Sequence, residues 1–181
     1  MAKYYTGVGS RKTPPEILAL MQEIGRKMAD RGYIGRSGGA DGADSAFQEG
    51  AKLSGQSLFD VYLPWGKSGH DKNIIMINPQ KFSNYQQAVQ LASQVHPAWD
   101  RCSDAAKKLH SRNVYQILGN DLNTPSKVCI LYAEPTGGLD TRVKGGTNTA
   151  LQLALQNNVP TYNLYYKLSR DSICKKLGIE L

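Results

Sequence analysis

The stretch "GRSGGADGADSAF", Gly35–Phe47, decides how the rest of the chain is read. Its upstream part belongs to "YIGRSG", Tyr33–Gly38, a short β-branched and aromatic run that reads as a strand. Downstream, Ala43, Ala46, Phe47, Gly50 and Ala51 recur at helical spacing. A strand that passes through glycines directly into a helix leaves bare backbone at the helix mouth. The first amides of a helix lack partners and carry partial positive charge. Glycine lets an anion approach them closely. The chain repeats the arrangement at "KGGTNTALQLAL", Lys144–Leu155. That second turn follows "SKVCILYA", Ser126–Ala133, the clearest buried strand in the sequence.

Working outward, strands and helices alternate. "KYYTGV", Lys3–Val8, reads as a first strand, and residues 13–32 as a helix with Thr13 as its cap. "LFDVYL", Leu58–Leu63, is a third strand. Pro64–Asn73 reads as a polar, Gly-bearing loop, followed by helices over Asn84–His96 and within Cys102–Leu122. "VPTYNLYY", Val159–Tyr166, is a last strand, and Ser169–Leu177 a closing helix. The alternation predicts an α/β fold: a Rossmann-like three-layer sandwich with a mostly parallel sheet and helices on both faces. Residues 1–181 read as one domain of that kind. In such sheets ligands bind beyond the carboxyl ends of the strands, where strand order reverses. The usual order places the first and the fourth strand, Ser126–Ala133, side by side at that point.

The net charge of +7 favours anionic partners, although the basic residues are scattered. Hydrophobic residues make up 40% and charged residues 20%, an ordinary globular balance. No apolar run is long enough to span a bilayer and no leader is evident at the N-terminus, so a cytoplasmic location and no membrane partner are expected. Cys102, Cys129 and Cys174 are widely spaced and form no C-x-x-C pair and no His cluster. Neither a disulfide framework nor a zinc site is expected, and no metal or cofactor is assigned. The turns fit neither G-x-x-x-x-G-K-[ST] nor G-x-G-x-x-G, which argues against a P-loop ATPase or a standard dinucleotide dehydrogenase.

Three strand ends therefore supply the candidate ligand-binding residues: Gly9, Ser10 and Arg11; Ser37, Gly38, Gly39, Ala40, Asp41, Gly42 and Asp44; and Lys144, Gly145, Gly146, Thr147, Asn148 and Thr149. Glu134 follows the fourth strand and is expected to face the crevice, where a carboxylate can accept ribose hydroxyls. Glu134, Asp41 and Asp44 are the candidates for a catalytic carboxylate, with helix capping the favoured role for the aspartates. Arg36, His70, Arg112 and Asn113 are weaker candidates for ligand contact. His96 and His110 read as structural, and burial is favoured for Trp65 and Trp99.

In this order "GSR" (Gly9–Arg11), "SGGADGADSAFQEGA" (Ser37–Ala51), "SRNVYQILG" (Ser111–Gly119) and "GGTNTALQLAL" (Gly145–Leu155) resemble the SLOG superfamily of Rossmann-like proteins. By motif the chain is similar to the DNA-processing protein A (DprA) and Lonely Guy (LOG) families. The resemblance implies a pocket for a nucleotide or nucleotide-derived molecule and a homo-oligomer. It departs from the phosphoribohydrolases of the superfamily, whose motif is Pro-Gly-Gly-x-Gly-Thr-x-x-Glu. Lys144 replaces the proline, Asn148 the third glycine, and Gln152 the glutamate. An amide cannot act as a carboxylate acid, base or nucleophile. A histidine often found after the Asp turn in the DprA family is Gln48 here. The leading expectation is a sensor or sequestering protein for a nucleotide-like signal, an NAD-derived or cyclic nucleotide included, leaning away from an enzyme. The alternatives are an N-glycosidic hydrolase or transferase acting on a nucleotide, and a DprA-like single-stranded DNA binder.

Overall fold

Lys3–Gly9 (β1) lies at the middle of the sheet, and its burial on both sides fits an apolar and aromatic run. A computed structural model describes residues 1–55, 58–137 and 141–181. After β1 come Pro15–Asp30 (α1), Tyr33–Ser37 (β2), Ala43–Ser54 (α2), Phe59–Tyr62 (β3), Gly69–Asp71 (β4) and Ile74–Ile77 (β5). Tyr85–Val95 (α3), Asp104–Leu118 (α4), Cys129–Tyr132 (β6), Thr147–Gln156 (α5), Thr161–Asn163 (β7) and Lys167–Leu177 (α6) complete the order. The sheet runs β4-β5-β3-β2-β1-β6-β7. Every pairing is parallel except that of β4 with β5.

Strand order reverses between β1 and β6, as the motif reading requires. The register sets Thr6 opposite Cys129 and Gly9 opposite Tyr132, so both strands end at the same level. The Ser10 amide donates to the Tyr132 carbonyl (2.9 Å), extending the pairing into the turn after β1.

Alternation along the strands feeds two cores. On one face Tyr5, Phe59 and Ile130 pack with Ile17, Met21 and Ile24 of α1, Phe47 of α2 and Ile173 of α6. On the other, Val8, Tyr62 and Leu131 pack with Ala88 of α3, Val114, Tyr115 and Ile117 of α4, and Leu153 of α5. The result is the three-layer α/β sandwich expected from the sequence.

Two readings of the sequence are corrected. Pro64–Asn73 is not all loop: Gly69–Asp71 forms an exposed edge strand that turns back onto Ile74–Ile77, which joins β3. Three exposed polar residues and a four-residue apolar run are too short to show periodicity. Thr13 does not cap α1. Pro14 occupies the cap position, and the Thr13 hydroxyl donates to the Ser10 carbonyl (2.6 Å), closing the turn after β1.

Candidate functional site

Beyond the carboxyl ends of β1 and β6 opens a crevice of about 720 Å³. Its walls come from five segments: Val8–Lys12, the turn into α2 and its start (Ala40 and Asp44), the end of α3 (His96), α4 (Leu109, His110, Arg112, Asn113, Gln116), and the turn into α5 with its first residues (Lys144–Thr147 and Ala150). The fold thus brings together the Gly-Ser-Arg turn, both glycine-bearing turns and the Arg-Asn pair.

The first turn is filled by its own chain. Asp44 is buried, and one carboxylate oxygen accepts the amides of Gly38 (3.0 Å) and Ala40 (3.3 Å). Burial pushes this carboxyl up, opposed by the Arg112 charge and by backbone donors at Ala40, Gly38 and Gly9. Arg112 is also buried. One terminal nitrogen donates to the carbonyls of Gly38 (2.6 Å) and Tyr62 (2.7 Å), and Nε donates to Asn113 Oδ1 (2.9 Å). A Cβ at residue 38 would lie 2.5 Å from Arg112 Cζ, so the glycine is required by the arginine packed on it. Arg112 therefore both lines the crevice and ties α4 to the ends of β2 and β3.

The second turn is open. Gly146 precedes α5, and a Cβ at Gly145 or Gly146 would meet nothing within 4 Å. Among the described residues, no acceptor takes the amides of Gly145, Gly146 or Thr147. The turn is held from behind: Asn113 Nδ2 donates to the Gly146 carbonyl (3.2 Å), and the Val143 amide donates to Asn148 Oδ1 (3.1 Å). Asn148 and Thr149 are buried supports rather than lining residues. Arg11, Lys12 and Lys144 are exposed cations on the lining, and Lys12 was not among the candidate ligand residues. The Lys144 ammonium pairs with the Glu134 carboxylate at 2.9 Å. Glu134 itself is exposed and does not line the crevice.

Other candidates lie outside this space. Asp41 is exposed on the turn before α2, and Ser37 is buried with its hydroxyl accepting the Gly39 amide (3.4 Å). Neither residue lines the crevice, nor do Gly39 and Gly42. Arg36 is buried beneath α4. It donates to the carbonyl of Thr124 (2.7 Å) and to Ser126 Oγ (3.2 Å), and its guanidinium lies 3.8 Å from the centre of the Tyr4 ring. His70 stands on β4, four strands away from β1. Trp65 is exposed, against the expectation of burial, while Trp99 is partly buried against the core.

The sequence reading missed one group. His96 and His110 line the crevice, and Cys102 lies beside them, although spacing showed no Cys/His cluster. Pro97 ends α3, so the chain doubles back through a 3-10 turn at Trp99–Arg101 that returns Cys102 to His96. Two turns along α4, His110 comes back to the same point, its ring centre 4.3 Å from that of His96. Burial, His96 and Arg112 hold the His110 imidazole down to about 4, so it is neutral near pH 7. Six- and eight-residue gaps across a helix break carry no recognisable ligand spacing.

No family model and no curated protein matches this chain. Solved structures do. The molybdenum cofactor carrier protein of Chlamydomonas reinhardtii is 17% identical, with a TM-score of 0.52, covering 98% of this chain and 85% of that one. DprA of Streptococcus pneumoniae is 14% identical, with a TM-score of 0.50, covering 98% of this chain and 56% of that one. DNA processing protein A of Helicobacter pylori, a single-stranded DNA binder, is 16% identical with a TM-score of 0.49, covering 99% and 74%. The chain shares its Rossmann-like fold with the carrier protein and with the streptococcal DprA, in line with the resemblance read from the motifs.

Proposed function

We propose that the crevice binds a phosphate-bearing nucleotide or nucleotide-derived small molecule, and holds it without cleaving it. One observation carries this reading. The three unclaimed amides at the start of α5 share a crevice with Arg11, Lys12, Arg112 and Lys144, while the lining carboxylate, Asp44, is already hydrogen-bonded. A helix N-terminus ringed by cations suits a phosphate. The crevice volume falls within the range of roughly 300–1,000 Å³ usual for small-molecule sites. The base and sugar would extend from α5 toward Val8, Leu109 and Ala150, the apolar part of the lining.

Retention is favoured over hydrolysis because the candidate carboxylates are either engaged elsewhere or, like Asp41, off the crevice lining. Asp44 holds the first turn together, and Glu134 pairs with Lys144 at the exposed rim. Gln152 stands where the related hydrolases have glutamate, and its amide donates to Asn148 Oδ1 (3.2 Å). A sensor or a sequestering protein needs only affinity and a slow release.

The test is mass spectrometry of purified protein incubated with nucleoside monophosphates, NAD, ADP-ribose and cyclic nucleotides. One compound retained intact is the expected result. Conversion to base and sugar phosphate overturns the holding role. No retention, combined with salt-sensitive binding of single-stranded DNA, overturns the small-molecule reading.

A further inference from the structure

His96, Cys102 and His110 form a second chemical feature, independent of any nucleotide. Each offers one ligand atom, and these atoms lie within 4.8 Å of one another. All three side chains are half-buried, and the two imidazoles are on the crevice wall. Cys102 Sγ is 3.8 Å from both ring nitrogens of His96. His110 Nδ1 is bonded to the Thr149 hydroxyl at 2.8 Å, which fixes the ring and leaves Nε2 for a ligand. Thr149 lies in the first turn of α5, so the crevice wall and this ring are fixed by one helix. The Ala98 amide donates to His96 Nδ1 (3.1 Å).

We propose that His96, Cys102 and His110 bind one zinc(II) ion at the wall of the crevice, with the fourth coordination position open toward it. Two imidazoles and a thiolate are a borderline-soft donor set, which suits zinc and disfavours magnesium or calcium. Ligand atoms around tetrahedral zinc lie about 3.3–3.8 Å apart, so closure needs movements of roughly 1 Å or less. Cys102 ends the 3-10 turn and His96 ends α3, positions that can shift without breaking a helix. Binding releases the Cys102 thiol proton to solvent, and ligation through His96 Nδ1 exchanges the Ala98 hydrogen bond for a coordinate bond. Three protein ligands with one open position is the pattern of a zinc site that takes water or a ligand oxygen as its fourth donor.

The experiment titrates chelator-treated, nucleotide-free protein with cobalt(II) alone and then with zinc(II). The expected result is one cobalt per chain, a thiolate-to-cobalt charge-transfer band, four-coordinate visible bands, and loss of all of them on adding zinc. Cys102→Ser should abolish the charge-transfer band, and His110→Ala should weaken cobalt binding at least tenfold. Because a variant can fail to fold, X-ray absorption on zinc-loaded wild type supplies a second reading. It should give one sulfur at about 2.3 Å and two imidazole nitrogens at about 2.0 Å. An oxygen-only shell, a cobalt spectrum unaffected in folded Cys102→Ser, or no stoichiometric uptake overturns the proposal. None of these readouts depends on whether the crevice also holds a nucleotide.

Discussion

Two glycine-bearing turns face the same crevice, each leading a strand into a helix. In the first, between β2 and α2, Asp44 accepts the backbone amides and Arg112 packs on Gly38. In the second, between β6 and α5, the amides of Gly145, Gly146 and Thr147 have no acceptor among the described residues. The first turn is an anion site already satisfied by a carboxylate of its own chain. The second leaves its amides unclaimed, and it is the turn proposed above to receive an outside anion. Glycine content cannot distinguish them, because glycine serves equally to admit a phosphate and to admit a packed arginine.

The largest expected effect comes from emptying the first turn. Asp44→Ala leaves the Gly38 and Ala40 amides without their acceptor and Arg112 without its neighbouring negative charge, and should cost on the order of 3 kcal/mol. Asp44→Asn keeps one acceptor oxygen and should cost less. Urea unfolding of both variants measures the difference, and equal losses would mean the side chain acts through packing rather than hydrogen bonding.

Filling the second turn comes next. Gly146→Asp places a carboxylate at the α5 amides, imitating Asp44. The backbone there (φ −65°, ψ −22°) suits any residue. Affinity for the retained nucleotide should fall at least tenfold, with stability within about 0.5 kcal/mol of wild type. Unchanged affinity would relocate the anion site. Arg11→Gln should weaken binding by about fivefold to tenfold and flatten its salt dependence, as measured by titration at two ionic strengths.

A smaller effect separates the α4 wall from both turns. The His110 pKa in the folded protein, about 4, lies below its ordinary 6.5. The unfolded chain therefore binds the proton more tightly. This contribution to stability is complete above pH 6.5 and is lost as pH falls toward 4. Since the ring is only half-buried, the loss should be on the order of 1 kcal/mol. In metal-free protein, His110→Gln should remove that part of the pH profile. Smallest of all is Glu134→Gln. Its pair with Lys144 is more than half exposed, so nucleotide affinity should stay within about threefold, any change being a gain from the freed ammonium. A large loss would make Glu134 a ligand contact.

Much of this molecule was legible in the linear chain. Short apolar, aromatic and β-branched runs between turn residues located β1, β2, β3, β6 and β7, helical spacing of buried residues located α1 and α2, and the remaining helices were legible between their breakers. Strand-to-helix turns rich in glycine marked the end of the sheet where the crevice lies. Only the tertiary structure decided the rest, since it depends on which distant groups meet. Asp44 and Arg112 are 68 residues apart, yet together they determine that the first turn is closed. His96, Cys102 and His110 converge because Pro97 ends one helix and the next returns alongside it. A short edge hairpin, Gly69–Ile77, exists because β3 offers it a partner. Local pattern records how a segment buries its own face; hydrogen-bond satisfaction and ligand geometry are properties of neighbours in space.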